Sequence, residues 1–271
     1  MKKVDVIIFG GQSNMQGQSD CLSECEAVAG ALEYKFLSDT LVPLKNPVGE
    51  NIRYDGLASV AFTEGSSLKV WLSSHVLGAA AYGHTNLVPA FCRAYIQKTS
   101  HSVIAVHAAK GSTEIAAWLP ETEGYRALVK KAKAAINKVK AQCEIEHIYF
   151  VWLQGESDAI AGNSKDYYKK KLAILGAALV QDLGVDRFGI IRVGRFTEDE
   201  RDLEIISAQD EICAEAPFFL MLTRASTELN KDPEMMNPNV KGHYSAKGLE
   251  TLGTLAGETL AEKNSIFSET F

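Results

Sequence analysis

The chain has 271 residues, of which 46% are hydrophobic and 23% are charged, and its formal net charge is −6. These values are ordinary for a globular protein with a sizeable core, and they exclude the basic surface on which most nucleic-acid-binding domains depend. No uninterrupted apolar run approaches the roughly 18 residues of a membrane span, so we expect neither a nucleic-acid nor a membrane partner.

The amino terminus has a basic start and a short apolar run that ends at Gly10. A secretory signal would need an apolar stretch of about 7–15 residues and a cleavage site of small residues. We therefore predict a cytoplasmic protein. Of the five cysteines only Cys21 and Cys25 lie close together, and no histidine or second cysteine pair has the spacing of a zinc site. We expect reduced thiols and neither a metal nor a cofactor.

Short apolar runs alternate with helical patterns along the chain. The predicted strands are 4–9, 103–107, 147–153, 189–193 and 218–222, and the predicted helices are about 87–98, 125–141, 165–182, 198–215 and 246–262. Strands that are apolar throughout are typical of a parallel sheet covered on both faces. The alternation predicts an α/β protein, a single-domain three-layer α/β/α sandwich around a parallel sheet of about five strands.

The segment at about 18–76 departs from this alternation. It is rich in Gly, Ser, Asn and Pro, and its apolar residues have no sustained period. We predict a long insertion within one domain of residues 1–271. Because the segment follows the first strand, we expect it near the carboxyl ends of the strands, where open α/β sheets bind ligands.

Polar blocks follow the predicted strands or lie in a loop that can reach them. Ser13 follows the first strand, Gly111 the second, Gln154 and Glu156 the third, and His243 precedes the last helix. They supply a hydroxyl, a backbone N–H, an amide, a carboxylate and an imidazole, which are the groups that acyl transfer needs. A glycine-rich turn after the first strand could instead bind a phosphate, but neither dinucleotide-binding nor P-loop spacing occurs there.

The blocks GQSNM, KGS, WLQGESD and GHYSAKG resemble those of the SGNH (GDSL-type) hydrolases. Within that superfamily they are closest to the sialate O-acetylesterase and acetylxylan esterase branch, carbohydrate esterase family 6. The resemblance covers essentially the whole chain in order. It implies a flavodoxin-like fold and a serine esterase that hydrolyses, without a metal, the O-acetyl esters of a sugar or oligosaccharide.

The resemblance also assigns roles to residues. It implies that Ser13 is the nucleophile and His243 the base, and that the N–H groups of Ser13 and Gly111 and the side-chain amide of Gln154 stabilise the oxyanion. Many relatives carry an aspartate three residues before the histidine, where this chain has Val240.

The missing aspartate leaves the acid that orients His243 open. Glu156 is the candidate that the resemblance implies, and Asp158, Asp232 and Glu234 are alternatives. Glu156 and Asp158 could equally be first-turn acids of a helix. Two rival functions stay open: a carbohydrate-binding protein of the same fold that has lost hydrolysis, which the missing aspartate supports, and an acetyl transferase to a sugar acceptor.

Several other side chains have both a structural and a functional interpretation. Gln154 could be a satisfied buried amide. Trp71 and Trp118 could stack on a sugar ring or belong to the core, and His107, which ends a strand close to Gly111, could be structural or functional. The sequence leaves the sugar, the acylated position and the oligomeric state open.

Overall fold

The computed structural model describes residues 3–23, 26–49 and 85–268. In this part of the chain the sheet has seven strands: β1 (Lys3–Gly11), β2 (Ala31–Lys35), β3 (Thr40–Pro43), β4 (Ser102–Ala109), β5 (Glu144–Leu153), β6 (Arg187–Ile191) and β7 (Phe219–Thr223). Their order is β3-β2-β4-β1-β5-β6-β7, and every neighbouring pair is parallel except β2 and β3. The five predicted strands thus run in the flavodoxin-like order 2-1-3-4-5, which confirms the predicted fold class.

Helices cover the sheet on both faces. They are α1 (Ser13–Gln16), α2 (Val88–Thr99), α3 (Glu123–Lys140), α4 (Glu156–Ala161), α5 (Lys165–Leu183), α6 (Arg201–Glu215), α7 (Ser226–Leu229) and α8 (Ala246–Ser268). On β5, the Tyr149 hydroxyl donates to Asn264 of α8, whereas the Trp152 indole donates to Tyr168 of α5. Because Tyr149 and Trp152 are three residues apart, they face opposite sides of the sheet, and so do α8 and α5.

The sheet has two more strands than the sequence predicts. Both belong to the segment predicted as an insertion: β2 runs parallel to β4, and β3 pairs antiparallel with β2 at the edge of the sheet. These strands are short and partly exposed, so they lack the long apolar run that marks the central strands. Residues 50–76 of the predicted insertion lie outside the described residues. No helix in the described ranges is both long and apolar enough to cross a membrane.

The turn after β1 depends on glycine. Gly11 has a φ of +141°, and a Cβ there would lie 2.1 Å from the main-chain oxygen of Leu153 at the end of β5. The next residue, Gln12, donates its N–H to that same oxygen at 3.1 Å. The absence of a side chain therefore lets the ends of β1 and β5 come into contact just before Ser13.

We expect Gly11→Ala to lower the free energy of unfolding by more than about 3 kcal/mol, because the methyl group meets main chain rather than a movable side chain. The matched control is Gly184→Ala, which also has a positive φ but has nothing within 4 Å of the added carbon. Backbone strain should lower its free energy of unfolding by only about 1–2 kcal/mol. Urea denaturation of both variants measures the difference, and equal losses would contradict the close approach of β1 and β5.

Candidate active site

Ser13 is the first residue of α1 and is largely buried at the carboxyl end of β1. Its N–H, as the first of a helix, has no partner within that helix. Gly111, in the loop after β4, lies directly against it: a Cβ built at Gly111 would be 3.6 Å from Cβ of Ser13. The preceding residue, Lys110, donates its N–H to Gly11 at 2.9 Å and so fixes this loop to the end of β1. The structure thus brings the predicted nucleophile and one predicted N–H donor together.

The Gly111 N–H has a partner in the protein itself. It donates to Oε1 of Gln16, at the end of α1, at a distance of 3.0 Å. That side chain is buried and also accepts from Nε2 of Gln18 at 3.3 Å. An acceptor oxygen of the protein therefore lies where an oxyanion bound by Gly111 would lie.

The loop that carries His243 is bound to Asn14, the residue after Ser13. Nδ2 of Asn14 donates to the Gly242 oxygen at 3.1 Å, and Oδ1 of Asn14 accepts from the Tyr244 N–H at 3.2 Å. Asn14 is only 2% exposed. A single buried amide thus binds the main chain on both sides of His243 and holds this loop beside helix α1.

The ring of His243 has the tautomer that a general base requires. Its Nδ1 lies 3.1 Å from the main-chain oxygen of Lys241, and because a carbonyl oxygen can only accept, Nδ1 carries the hydrogen in this bond. In the neutral ring Nε2 is then unprotonated. Nε2 is buried and has no hydrogen-bond partner among the described residues. The Ser13 hydroxyl is therefore not hydrogen-bonded to Nε2 in this structure. An unprotonated nitrogen without a partner can accept a proton from a hydroxyl that comes within hydrogen-bonding distance.

Glu156 does not contact His243 directly, although the sequence suggests it as the orienting acid. Its Oε1 accepts from Nδ2 of Asn14 at 2.7 Å, and its Oε2 is buried without a partner in the described part of the chain. Burial raises the pKa of Glu156, and the hydrogen bond from Asn14 opposes part of that rise. The Asn14 amide, which binds both the carboxylate and the histidine loop, takes the place of the expected contact.

The alternative acids bind elsewhere too. Asp158 accepts from the Ile115 N–H and from the side-chain amides of Gln154 and Asn163. Asp232 caps the N–H of Glu234, and Glu234 pairs with Lys247. In the described ranges the His243 ring therefore has no carboxylate partner.

Gln154 is fully buried, and its amide is already engaged. Nε2 has two hydrogens and three acceptors, namely Asp158 Oδ2 at 2.6 Å, Thr113 O at 2.8 Å and Gln12 Oε1 at 3.2 Å. Its Oε1 accepts from the Tyr168 hydroxyl at 2.9 Å. In this geometry the side chain of Gln154 has no free N–H for the oxyanion role that the sequence predicts. Its amide instead connects the end of β5 with neighbouring loops.

Two further residues singled out in the sequence have structural roles. Trp118 is 1% exposed, packs edge-on against Trp152 at 5.3 Å between ring centroids, and donates to Thr113, so it belongs to the core. His107 is fully buried, burial lowers its pKa to about 3, and its Nε2 lies 2.9 Å from the Met15 oxygen of α1. It supports the helix that carries Ser13. Trp71 lies outside the described residues.

Asn14 has no role in the interpretation of the sequence, although it lies inside the GQSNM block. The available signal was its position: it is an amide directly after the candidate nucleophile, in a helix too short to bury it by amphipathic packing. Spacing alone could not show that this amide reaches a loop more than 200 residues further along the chain.

Comparison with known protein families finds a match over most of the chain. The model of one family, described as carbohydrate esterase, sialic acid-specific acetylesterase, matches residues 3–262. No curated protein matches the chain in sequence.

Three solved structures share the fold. A protein from Arabidopsis thaliana has 17% identity and a TM-score of 0.65 over 96% of each chain. NanS has 14% identity and a TM-score of 0.63 over 100% of this chain and 98% of its own. A lipase/acylhydrolase from Enterococcus faecalis has 14% identity and a TM-score of 0.52 over 97% of each chain.

We expect Gln154→Ala to lower the free energy of unfolding by about 2–4 kcal/mol, because it removes the amide that donates to Asp158 Oδ2 and to the Thr113 main-chain oxygen and leaves a cavity at a fully buried position. Under conditions where the variant is folded, its kcat should fall less than about 10-fold. Urea denaturation and steady-state kinetics measure both, with the exposed Gln142→Ala as the control. A kcat loss of about 10²–10³ at unchanged stability would instead support the oxyanion role.

Proposed function

Because the chain belongs to the carbohydrate esterase family of sialic acid-specific acetylesterases, we propose that it removes O-acetyl groups from a sugar through an acyl-enzyme formed on Ser13. The protein is a carboxylic ester hydrolase of the carbohydrate acetylesterase type. O-acetylated sialic acid, the substrate in the family description, is the first sugar to test, and acetylated xylan is the second. The observation that supports the mechanism best is the pair of hydrogen bonds from Asn14 to the residues on either side of His243.

In the first half-reaction Ser13 Oγ attacks the acetyl carbonyl carbon while Nε2 of His243 accepts the hydroxyl proton. The N–H groups of Ser13 and Gly111 donate to the oxyanion of the tetrahedral intermediate. For this the side-chain oxygen Oε1 of Gln16 leaves the Gly111 N–H, and the oxyanion formed from the acetyl carbonyl takes its place. The imidazolium then protonates the sugar oxygen, and the sugar departs.

In the second half-reaction water attacks the acetyl carbon on Ser13 while His243 again accepts the proton. The bond between this carbon and Ser13 Oγ then breaks, the imidazolium returns the proton to Oγ, and acetate leaves. The imidazolium formed in each step keeps its Nδ1–H on the Lys241 carbonyl. This acceptor is neutral, so it stabilises the charged ring less than a carboxylate would. When Glu156 is ionised, its charge lies one amide away from the histidine loop and supplies part of the missing stabilisation.

We assign Glu156 a positioning role that acts through Asn14. An ionised carboxylate can only accept hydrogen bonds, so it determines that the NH₂ end of the Asn14 amide faces Glu156 and the Gly242 oxygen. The oxygen of Asn14 is then left for the Tyr244 N–H. The carboxylate thus selects the one amide orientation that binds both sides of His243.

We expect Ser13→Ala to lower kcat/KM for p-nitrophenyl acetate and for O-acetylated sialic acid by at least about 10⁴-fold, because the nucleophile is removed. The free energy of unfolding should change by less than about 1 kcal/mol. Ser157→Ala, a serine in the neighbouring block, is the matched control and should keep full activity.

A wild-type protein that binds acetylated sugars without hydrolysing them would overturn this proposal in favour of a binding protein. An acetylated acceptor sugar among the products would favour a transferase.

We expect Asn14→Ala to lower kcat about 10²-fold, because displacement of a catalytic group by about 1 Å has an effect of this size. Glu156→Ala, which removes the acceptor for Asn14, should have a similar effect. Glu156→Gln keeps an acceptor oxygen and should lose less than about 10-fold. If Glu156 instead oriented the imidazole directly, Glu156→Gln would lose about 10⁴-fold, as the Asp→Asn change does in a serine-protease triad.

A further inference from the structure

A second cluster of imidazole and carboxylate groups lies at the opposite end of the sheet. Asp5 on β1 is in register with His147 on β5, and His101 immediately precedes β4 on the other side of β1. Nδ1 of His101 is 2.9 Å from Oδ2 of Asp5, and Nδ1 of His147 is 3.0 Å from Oδ1. The ligand atoms of the three residues all lie within 4.8 Å of one another. Three metal-binding groups therefore converge on one point from three different chain segments.

The Asp5 carboxylate is fully buried, yet no lysine or arginine in the described ranges contacts it. Its hydrogen bonds come from the two imidazoles and from the Tyr95 hydroxyl at 2.6 Å. Three such bonds favour the ionised form. A buried anion is nevertheless costly without a positive charge beside it. This position therefore favours a bound cation or a protonated imidazole.

The donor atoms fit zinc better than they fit a hard cation. Two imidazole nitrogens and one carboxylate oxygen are a ligand set that Zn²⁺ uses. Ligands about 2.0–2.2 Å from a tetrahedral zinc lie about 3.3–3.6 Å apart. Here His101 Nδ1 is 2.9 Å from one oxygen of Asp5, His147 Nδ1 is 3.0 Å from the other, and the ligand atoms of all three residues lie within 4.8 Å of one another. Small side-chain movements would bring them to zinc-ligand separations. The Tyr95 hydroxyl orients the carboxylate, as outer partners of metal ligands commonly do.

The site also has a fourth ligand within reach and a route for entry. Oε2 of Glu146 lies 3.8 Å from Nδ1 of His101. The side chains of His101 and His147 are 33% and 27% exposed, so an ion can enter from solvent. Their rings are nearly parallel, with 9° between the planes and 6.4 Å between the centroids.

We propose that Asp5, His101 and His147 bind a divalent transition-metal ion, with Zn²⁺ as the preferred ion. The ion connects β1, β4 and β5 where these strands begin. Six residues of extended strand, about 20 Å, separate Asp5 from the turn that carries Ser13. The role of this metal is to stabilise the fold and not to take part in ester hydrolysis.

Calorimetric titration of the EDTA-treated, desalted protein with ZnCl₂ tests this proposal. We expect one equivalent of zinc to bind with a dissociation constant on the order of micromolar or below. His101→Ala and His147→Ala should each weaken binding by at least about 100-fold, more than the loss of an outer partner does. Glu144→Ala, which removes an exposed carboxylate at the start of β5, is the matched control and should bind zinc as the wild type does.

Two further readouts separate this site from the active site and from a purely structural effect. Zinc should raise the Tm of the wild type but not that of the histidine variants, because only a ligand bound to the folded state stabilises it. Co²⁺ should give the visible absorption of a tetrahedral nitrogen–oxygen site. Esterase activity should be the same in all four proteins.

No zinc binding at about millimolar concentrations, or equal binding by the wild type and both histidine variants, would overturn the proposal. The cluster would then be only a hydrogen-bonded histidine–aspartate network.

Discussion

The carboxamide of Asn14 is the interaction on which the candidate active site depends. It follows Ser13, the proposed nucleophile, directly, and it donates to the main chain before His243 while accepting from the main chain after it. A side-chain amide can donate and accept at once through two different atoms while remaining uncharged. Because it is buried, each of these bonds is worth more to the fold than an exposed bond would be. The position of His243 is therefore coupled to the position of Ser13.

The glycine turn and the network around Gln154 provide the rigid support for this arrangement. Gly11 allows β1 to end against β5, and Gln12 is linked there to Gln154. Gln154 and Asp158 then connect β5 with the loop after β4. Buried polar atoms in this support are paired, whereas Glu156 Oε2 and His243 Nε2 have no partner among the described residues. Buried atoms without partners call for an explanation, and reactivity at the site is one.

The sequence predicts the fold well, and it predicts that the candidate site residues lie at one edge of the sheet. Continuously apolar strands identify β1, β4, β5, β6 and β7, and parallel strands bring their carboxyl ends to one edge of the sheet. Ser13 and Gly111 lie side by side for that reason. The acid partner could not be predicted in the same way, since spacing does not show which of two neighbouring groups a side chain contacts. Glu156 binds Asn14, and only the folded structure shows that this amide lies between the acid and the histidine loop.

The cluster of Asp5, His101 and His147 shows a second limit of sequence reasoning. Metal sites built from adjacent strands have no fixed spacing along the chain, because the ligands are neighbours only through the strand register. Cysteine and histidine spacing therefore points only to sites within one local segment. The oxyanion role of Gln154 stays a prediction, and what spacing along the chain could not show is that its amide hydrogen bonds are directed into the protein in this structure.

The most direct measurement is a crystal structure of the protein after reaction with an acetyl-sized organophosphonate. The account predicts phosphorus bonded to Ser13 Oγ, with one phosphonyl oxygen within about 3.1 Å of the N–H groups of Ser13 and Gly111. Gln16 should have turned away, and Nε2 of His243 should lie within about 3.2 Å of the Ser13 oxygen, with both Asn14 bonds intact. Modification of a different serine, or a His243 ring out of reach of Ser13 in the adduct, would contradict it.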